Sequence, residues 1–162
     1  MKILVVSDTH GNDNKLYDLW ETGMYSDVFH CGDSEVLNGY YFNPKIVKGN
    51  SYLDGDYPLE RIVNINGKKV LILHGHTYNI YNRLGISKLQ KYARNLSVNI
   101  VCYGHTHRSK VYESDGIIFL NPGSMTLPRD DTASYAVIEI ADKVSISIFN
   151  MLDEEIGYYE KS

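Results

Sequence analysis

Apolar residues come in short runs, and polar residues interrupt those runs in the same manner several times. Ile3–Val6 places four apolar residues in a row, leaving no side for solvent, which predicts a strand covered on both faces. A polar loop, Ser7–Asn14, follows. Leu16, Leu19 and Trp20 then fall on one helical face, and Gly23 ends that helix. Val28–His30 and Ile46–Val47 read as further short strands. Ile62–Ile65 and Val70–Leu73 flank Asn66-Gly67, the pair favoured in a two-residue type I′ hairpin turn. Residues 82–95 fit a second helix, with Leu84, Leu89 and Tyr92 as inner positions. Ile100–Tyr103, Val111–Tyr112, Ile117–Leu120, Tyr135–Ile140 and Val144–Phe149 complete the strands, with Asp115-Gly116 and Asp142-Lys143 as turns. No clear period marks 79–83, and Gly157, Tyr158 and Tyr159 carry no clear signal. The order is β-α-β early and mostly hairpins later. It predicts an α/β sandwich: two mixed β-sheets flanked by helices, in one domain spanning 1–162.

Composition narrows the class. A chain of 162 residues is long enough to bury about two thirds of its unfolded surface. The net charge of −4 argues against a stable nucleic-acid complex, though not against a small phosphorylated substrate held by metals. The two cysteines, Cys31 and Cys102, form no CxxC pair and no disulfide framework; both read as inert core thiols. The apolar run at Ile3–Val6 is too short for a signal peptide, and no segment approaches the ~20 apolar residues of a membrane helix. The expectation is a cytoplasmic protein.

The chemistry lies where the strands stop. Asp8 and His10 follow Ile3–Val6; Asp33 follows Val28–Phe29; Asn50 follows Ile46–Val47. His74 follows Val70–Leu73, and His105 and His107 follow Ile100–Tyr103. Ligand sites in α/β sheets form beyond the carboxyl ends of strands, so adjacent strand ends would gather these seven side chains in one pocket. Gly11, Gly32, Gly49, Gly75 and Gly104 each neighbour one of them, as tight turns or close backbone approach require. Imidazole and carboxylate together suit first-row divalent metals, whereas thiolates would point to structural zinc.

The segments Ser7-Asp8-Thr9-His10-Gly11-Asn12, His30-Cys31-Gly32-Asp33, Gly49-Asn50, His74-Gly75-His76 and Gly104-His105-Thr106-His107 resemble the calcineurin-like metallophosphoesterases. The match is to their small bacterial and archaeal phosphodiesterases, and it extends through Asn121–Ser124 and Pro128-Arg129. The resemblance implies that Asp8, His10 and His107 bind one metal, that Asn50, His74 and His105 bind the other, and that Asp33 bridges them. It implies two divalent ions, Mn first among Mn, Ni, Fe, Co and Zn, about 3.5–4 Å apart, clamping a phosphoryl group and activating a water for in-line attack. Two carboxylates against four positive charges leave such a site cationic.

Several positions have plainer readings. His30 reads as a structural strand-end histidine. His76 is a support for the ligands, a substrate contact or a turn residue. Asn121–Ser124 is a Pro-Gly turn that borders the site in the family, and Arg129 is a surface charge or a substrate contact. The 14 tyrosines fit sheet and core better than a base-stacking platform. Relatives often continue Gly-Asn with Cys-Asp, or with His and an acid. Here Ser51-Tyr52-Leu53-Asp54 follows, so the proton donor falls to His76 or a metal-bound water. Asp33, Asn50 and His76 are the positions expected to act in catalysis. The expected activity is hydrolysis of a small phosphodiester such as a cyclic nucleotide. The alternatives are a phosphomonoesterase, a metal-binding regulator without turnover, and a protein-interaction scaffold of the same fold. Exposed strand edges make a homodimer an expectation as well.

Overall fold

The computed structural model describes residues 1–162. In chain order it comprises β1 (Lys2–Val6), α1 (Asn14–Glu21), β2 (Asp27–His30), β3 (Lys45–Ile46), β4 (Glu60–Ile65) and β5 (Lys68–Leu73). A 3₁₀ turn (His76–Tyr78) and α2 (Arg83–Asn95) lead to β6 (Ile100–Cys102), β7 (Ser109–Ser114), β8 (Ile117–Pro122), β9 (Ser134–Ile140), β10 (Val144–Asn150) and β11 (Glu155–Lys161). The strands form a six-stranded sheet, β11-β10-β9-β1-β2-β3, and a five-stranded sheet, β4-β5-β6-β8-β7. Both are mixed. β1, β2 and β3 run parallel in the first, and β5, β6 and β8 run parallel in the second.

The apolar runs at β1, β5 and β6 have a direct cause: both faces of these strands are covered. Ile3 and Val5 point to the space between the sheets, where they meet Phe29, Val70, Ile72, Ile100 and Ile118 in a cluster of 17 buried residues. Leu4 and Val6 face the other way and pack with Leu16 and Leu19 of α1. On the second sheet, Leu71, Leu73 and Val101 turn outward onto Leu89 and Ala93 of α2. Cys31 and Cys102 lie in the inter-sheet cluster, and burial pushes both thiols well up from their ordinary value.

The expected turns form. Asn66 and Gly67 both adopt positive φ (47° and 78°) with Ile65 opposite Lys68, as a type I′ turn requires. One expectation needs correction. Leu84 is 66% exposed and is not an inner position of α2; Gly85, Leu89 and Ala93 are. The Gly157–Tyr159 segment belongs to a strand, β11, pairing along β10. Its pattern is illegible because Ile156 and Tyr158 point to solvent while glycine occupies an inward position. The residues after 78 form a turn that brings Asn82 to cap α2, its side chain accepting from the Gly85 amide.

Candidate metal centre

The carboxyl ends of β1, β2, β3, β5 and β6 meet at one mouth of the sandwich, and the seven expected ligands lie on the loops that leave it. Backbone hydrogen bonds fix the loops to one another. The Asp8, His10 and Gly11 amides donate to the carbonyls of Gly32, Asp33 and Ser34, so the loops after β1 and β2 run as a pair. Two further bonds cross between the sheets through the candidate ligands themselves. His74 Nδ1 lies 2.7 Å from the Cys31 carbonyl, and the His105 amide donates to Asp8 Oδ2 at 3.1 Å.

Two glycines are required by close approach. A Cβ on Gly104 would overlap the Ser7 side chain and the Asp8 carboxylate, and one on Gly49 would overlap the Asp33 carboxylate. The non-glycine backbone is strained at the same place. Asp8, His10, Asp33, Glu35, His105 and His107 all have φ between 47° and 68°. That left-handed region costs an L-residue roughly 1–2 kcal/mol, so surrounding contacts must hold each one there.

The side chains form two donor groups that share one carboxylate: Asp8, His10 and His107, and Asp8, Asp33 and His74. Asp8 is fully buried, and its Oδ1 makes no hydrogen bond. Around that oxygen stand three imidazole nitrogens, Nε2 of His107, His74 and His10, at 3.0, 3.8 and 4.0 Å. Each ring is anchored through its other nitrogen. His74 Nδ1 faces the Cys31 carbonyl, His107 Nδ1 faces the Leu127 carbonyl at 2.6 Å, and His10 Nδ1 faces the Glu35 carboxylate at 2.8 Å. These partners only accept, so Nδ1 carries a proton and Nε2 is the nitrogen that each ring turns toward Asp8. His10 and His107 bring those nitrogens within 3.5 Å of each other. Imidazole nitrogens and a carboxylate oxygen converging on one point form a site suited to a cation.

The second group is similar. Asp33 Oδ2 is 3.5 Å from His74 Nε2, and the Asn50 side-chain oxygen is 3.0 Å from the same nitrogen. Asp33 Oδ1 accepts from the Ser51 amide at 2.9 Å. The carboxylate common to both groups is therefore Asp8, while Asp33 stands with His74. His105 lies outside both groups, its ring 5.0 Å from that of His74. His76 also lies outside both groups, its ring 5.4 Å from that of His74 and 6.2 Å from that of His105, with a buried Nδ1 that has no hydrogen-bond partner.

Electrostatics follow the geometry. Burial would raise the Asp8 carboxyl, but the His107 and His74 imidazoles outweigh it and hold it below its ordinary value. Burial opposes ionisation of Asp33 too, yet the His74 contact and charge keep it far below the carboxylate range. His74 and His107, depressed by burial, are raised on balance by the carboxylates they face. His105 is pushed down to about 4 by burial and by His74, and His76 is lowered by the same two causes. The centre thus presents two ionised carboxylates ringed by imidazoles.

Three residues at the site carry work that the sequence pattern did not assign. Asp54 accepts from the amides of Asp33, Ser34, Glu35 and Gly49 and from the Ser34 hydroxyl, at 2.6 to 3.1 Å. It ties the loop after β2 to the loop after β3. Glu35 orients His10 and accepts from Ser51 Oγ. Tyr81 donates to the His105 carbonyl and accepts from Arg129, whose own amide donates to the His107 carbonyl. The only signal for Asp54 is an acid four residues after Asn50. His30 is structural: the Gly32 amide donates to its Nδ1, which places the proton on Nε2, 3.0 Å from Thr9 Oγ1. Asn121 holds the Gly104 carbonyl and Thr106, and Ser124 donates to the Asp8 carbonyl.

Comparison with known proteins decides the family. The calcineurin-like phosphoesterase superfamily domain matches residues 1–143. The chain belongs to that family. A probable metallophosphoesterase of Bacillus subtilis, YsnB, is 31% identical over 164 residues, covering 96% of this chain and 95% of its own. Among solved structures, a predicted phosphoesterase from Streptococcus pneumoniae TIGR4 superposes with a TM-score of 0.86 at 29% identity, over 99% of this chain and 97% of its own. Vps29 of Entamoeba histolytica, solved with Zn²⁺, shares the calcineurin-like fold at a TM-score of 0.76 and 24% identity, over 99% and 98% of the two chains. The metallophosphoesterase family and the His/Asp cluster together point to divalent-metal binding and to phosphoester hydrolysis as the class of reaction.

Proposed function

We propose that this chain hydrolyses small phosphodiesters, cyclic nucleotides among them, using two divalent cations, manganese first. The observation that carries the reading is the buried, unbonded Asp8 Oδ1 with three Nδ1-anchored imidazoles turned toward it. Asp8, His10 and His107 would hold one cation, Asn50, His74 and His105 the other, and Asp33 would serve both. Such cations supply Lewis-acid polarisation of phosphoryl oxygens and a nucleophile at neutral pH.

The chain's own groups do the rest. Asp8 and Asp33 stay ionised at neutral pH, so they bind cations without first losing a proton. The anchored Nδ1–H groups fix ring orientation, so that little reorganisation is needed on binding. Arg129, steadied by Tyr81 at 2.7 Å, offers a positioned cation at the rim to an anionic ester. His76, outside both ligand groups, would in its protonated form hand a proton to a leaving alkoxide and end as the neutral imidazole.

The test strips the protein with a chelator, restores Mn²⁺ and compares a chromogenic phosphodiester with the matching monoester. Diester cleavage that returns with Mn²⁺ and is lost in Asp33→Asn and His74→Ala supports the proposal. Faster monoester cleavage would replace it with phosphomonoesterase activity. No turnover with Mn, Ni, Co or Zn in a folded protein would sink the enzymatic reading and leave the scaffold.

A further inference from the structure

Next to the ligand cluster, and outside it, a groove of about 890 Å³ runs between α2 and the start of β7. Its floor is apolar and aromatic. Ile80 and Tyr103 are nearly fully buried there, and the Tyr112 ring stacks on Phe119 with centroids 5.2 Å apart. The Tyr112 hydroxyl is buried and makes no well-formed hydrogen bond. Its wall is cationic. Arg108 and Lys110 are exposed on the groove, and neither is among the lysines and arginines that pair with a carboxylate. Lys110 Nζ lies 5.0 Å from the centre of the Tyr112 ring. The one carboxylate lining the groove, Asp130, is already engaged by the amide and hydroxyl of Ser109 at 2.6 and 3.0 Å.

The groove adjoins the candidate metal centre. Tyr81 stands at the junction, lining the groove with its ring 5.0 Å from that of His105. Thr106, between His105 and His107, also lines it. A phosphoryl group seated at the ligands can therefore send one ester arm past Tyr81 into the groove. An aromatic floor suits a planar ring, a buried hydroxyl without a well-formed hydrogen bond suits a polar ring edge, and two unpaired cations in a chain of net charge −4 suit an additional anion.

We propose that this groove receives one ester arm of the substrate and selects an arm of the nucleoside-phosphate class, a planar base carried with a further phosphate. The proposal rests on the phosphoesterase reading above for the seat of the reacting phosphate.

The test is calorimetric titration of the Mn²⁺-loaded protein with inorganic phosphate, adenosine 5′-monophosphate and adenosine 3′,5′-bisphosphate. Affinity is expected to rise at each step, the second step by about tenfold at low salt and less as ionic strength rises. In Arg108→Glu/Lys110→Glu, a surface change that spares the core, the ratio of bisphosphate to monophosphate affinity should fall to about one. Three ligands of equal affinity, or a ratio untouched by the double variant, overturns the proposal and leaves Arg108 and Lys110 as ordinary surface charges. A second readout separates this from failure of the enzymatic reading. Adenosine 3′,5′-bisphosphate should shift the amide resonances of β7 and the first turns of α2 even in protein that turns over no ester. Shifts confined to the ligand loops would equally refute the groove.

Discussion

The Asp54 carboxylate accepts the backbone amide of Asp33 at 3.1 Å, and through the same two oxygens it holds Ser34, Glu35 and Gly49. One side chain thereby sets the backbone of a candidate ligand and of Glu35, the residue that orients His10. In Asp54→Asn an amide nitrogen would face donors it cannot accept. The expected result is a loss of about 2 kcal/mol in stability and a 10- to 100-fold drop in metal affinity, read by urea unfolding and by competition with a chelating dye. Unchanged metal affinity would mean that the loops hold their shape without it.

Metal should stabilise the fold as well as enable chemistry, because the donor cluster around Asp8 exists only in the folded chain, so a bound cation favours that state. At a Mn²⁺ concentration near 100 times Kd, the gain is about 2.7 kcal/mol, or roughly 5–10 °C in melting temperature for a chain of this size. Scanning calorimetry before and after chelation measures it, and Asp8→Asn should abolish most of the difference.

His30 supplies a pH test apart from the candidate ligands. Burial pushes its imidazole down to about 4, whereas the unfolded chain binds that proton near 6.5. Between these values the unfolded state holds more protons, so stability is full above 6.5 and falls as pH drops toward 4. The contribution lost by pH 5 is about 2 kcal/mol. Urea titrations at pH 7.5 and 5 should show it, and His30→Gln, which keeps one donor and one acceptor, should shrink the difference by about that amount, leaving the part that His105 contributes.

Gly104→Ala tests the close approach of β6's exit to the loop after β1. The added methyl meets Ser7 and the Asp8 carboxylate. A loss of about 1–3 kcal/mol is expected, with weakened Mn²⁺ binding because Asp8 must move. Full retention of both properties would show that the loop can shift at little cost.

If His76 donates the proton, His76→Gln should slow esters of aliphatic alcohols by about 10²-fold while leaving p-nitrophenyl esters within a few-fold, since nitrophenolate leaves without help. An equal effect on both would assign His76 a structural role.

Much of this was legible in the chain itself. Where both faces of a strand are covered, as at Ile3–Val6 and Val70–Leu73, an uninterrupted apolar run announces it. Asn66-Gly67 disclosed its turn because few other pairs tolerate two positive φ values in succession. The site was legible as a set of strand ends, since each ligand follows an apolar run directly. The sequence did not reveal how the loops are fixed to one another, such as the bond from the His105 amide to Asp8 Oδ2, because those partners lie far apart along the chain. Asp54 and Glu35 were also missed. Both act through backbone or ring partners distant in sequence, and an exposed-looking acid carries no periodic mark. Strand β11 escaped because its outward side is as apolar as its inward one.

The left-handed backbone at Asp8, His10, Asp33, Glu35, His105 and His107 has an evolutionary reading. These residues sit where the folded chain is least at ease, so durability and chemistry pull in opposite directions at the same six positions. A descendant released from its reaction would drift toward glycine or asparagine there first, and its melting temperature would climb as the ligands vanished. In this lineage an unusually sturdy relative is the one in which to look for a lost active site.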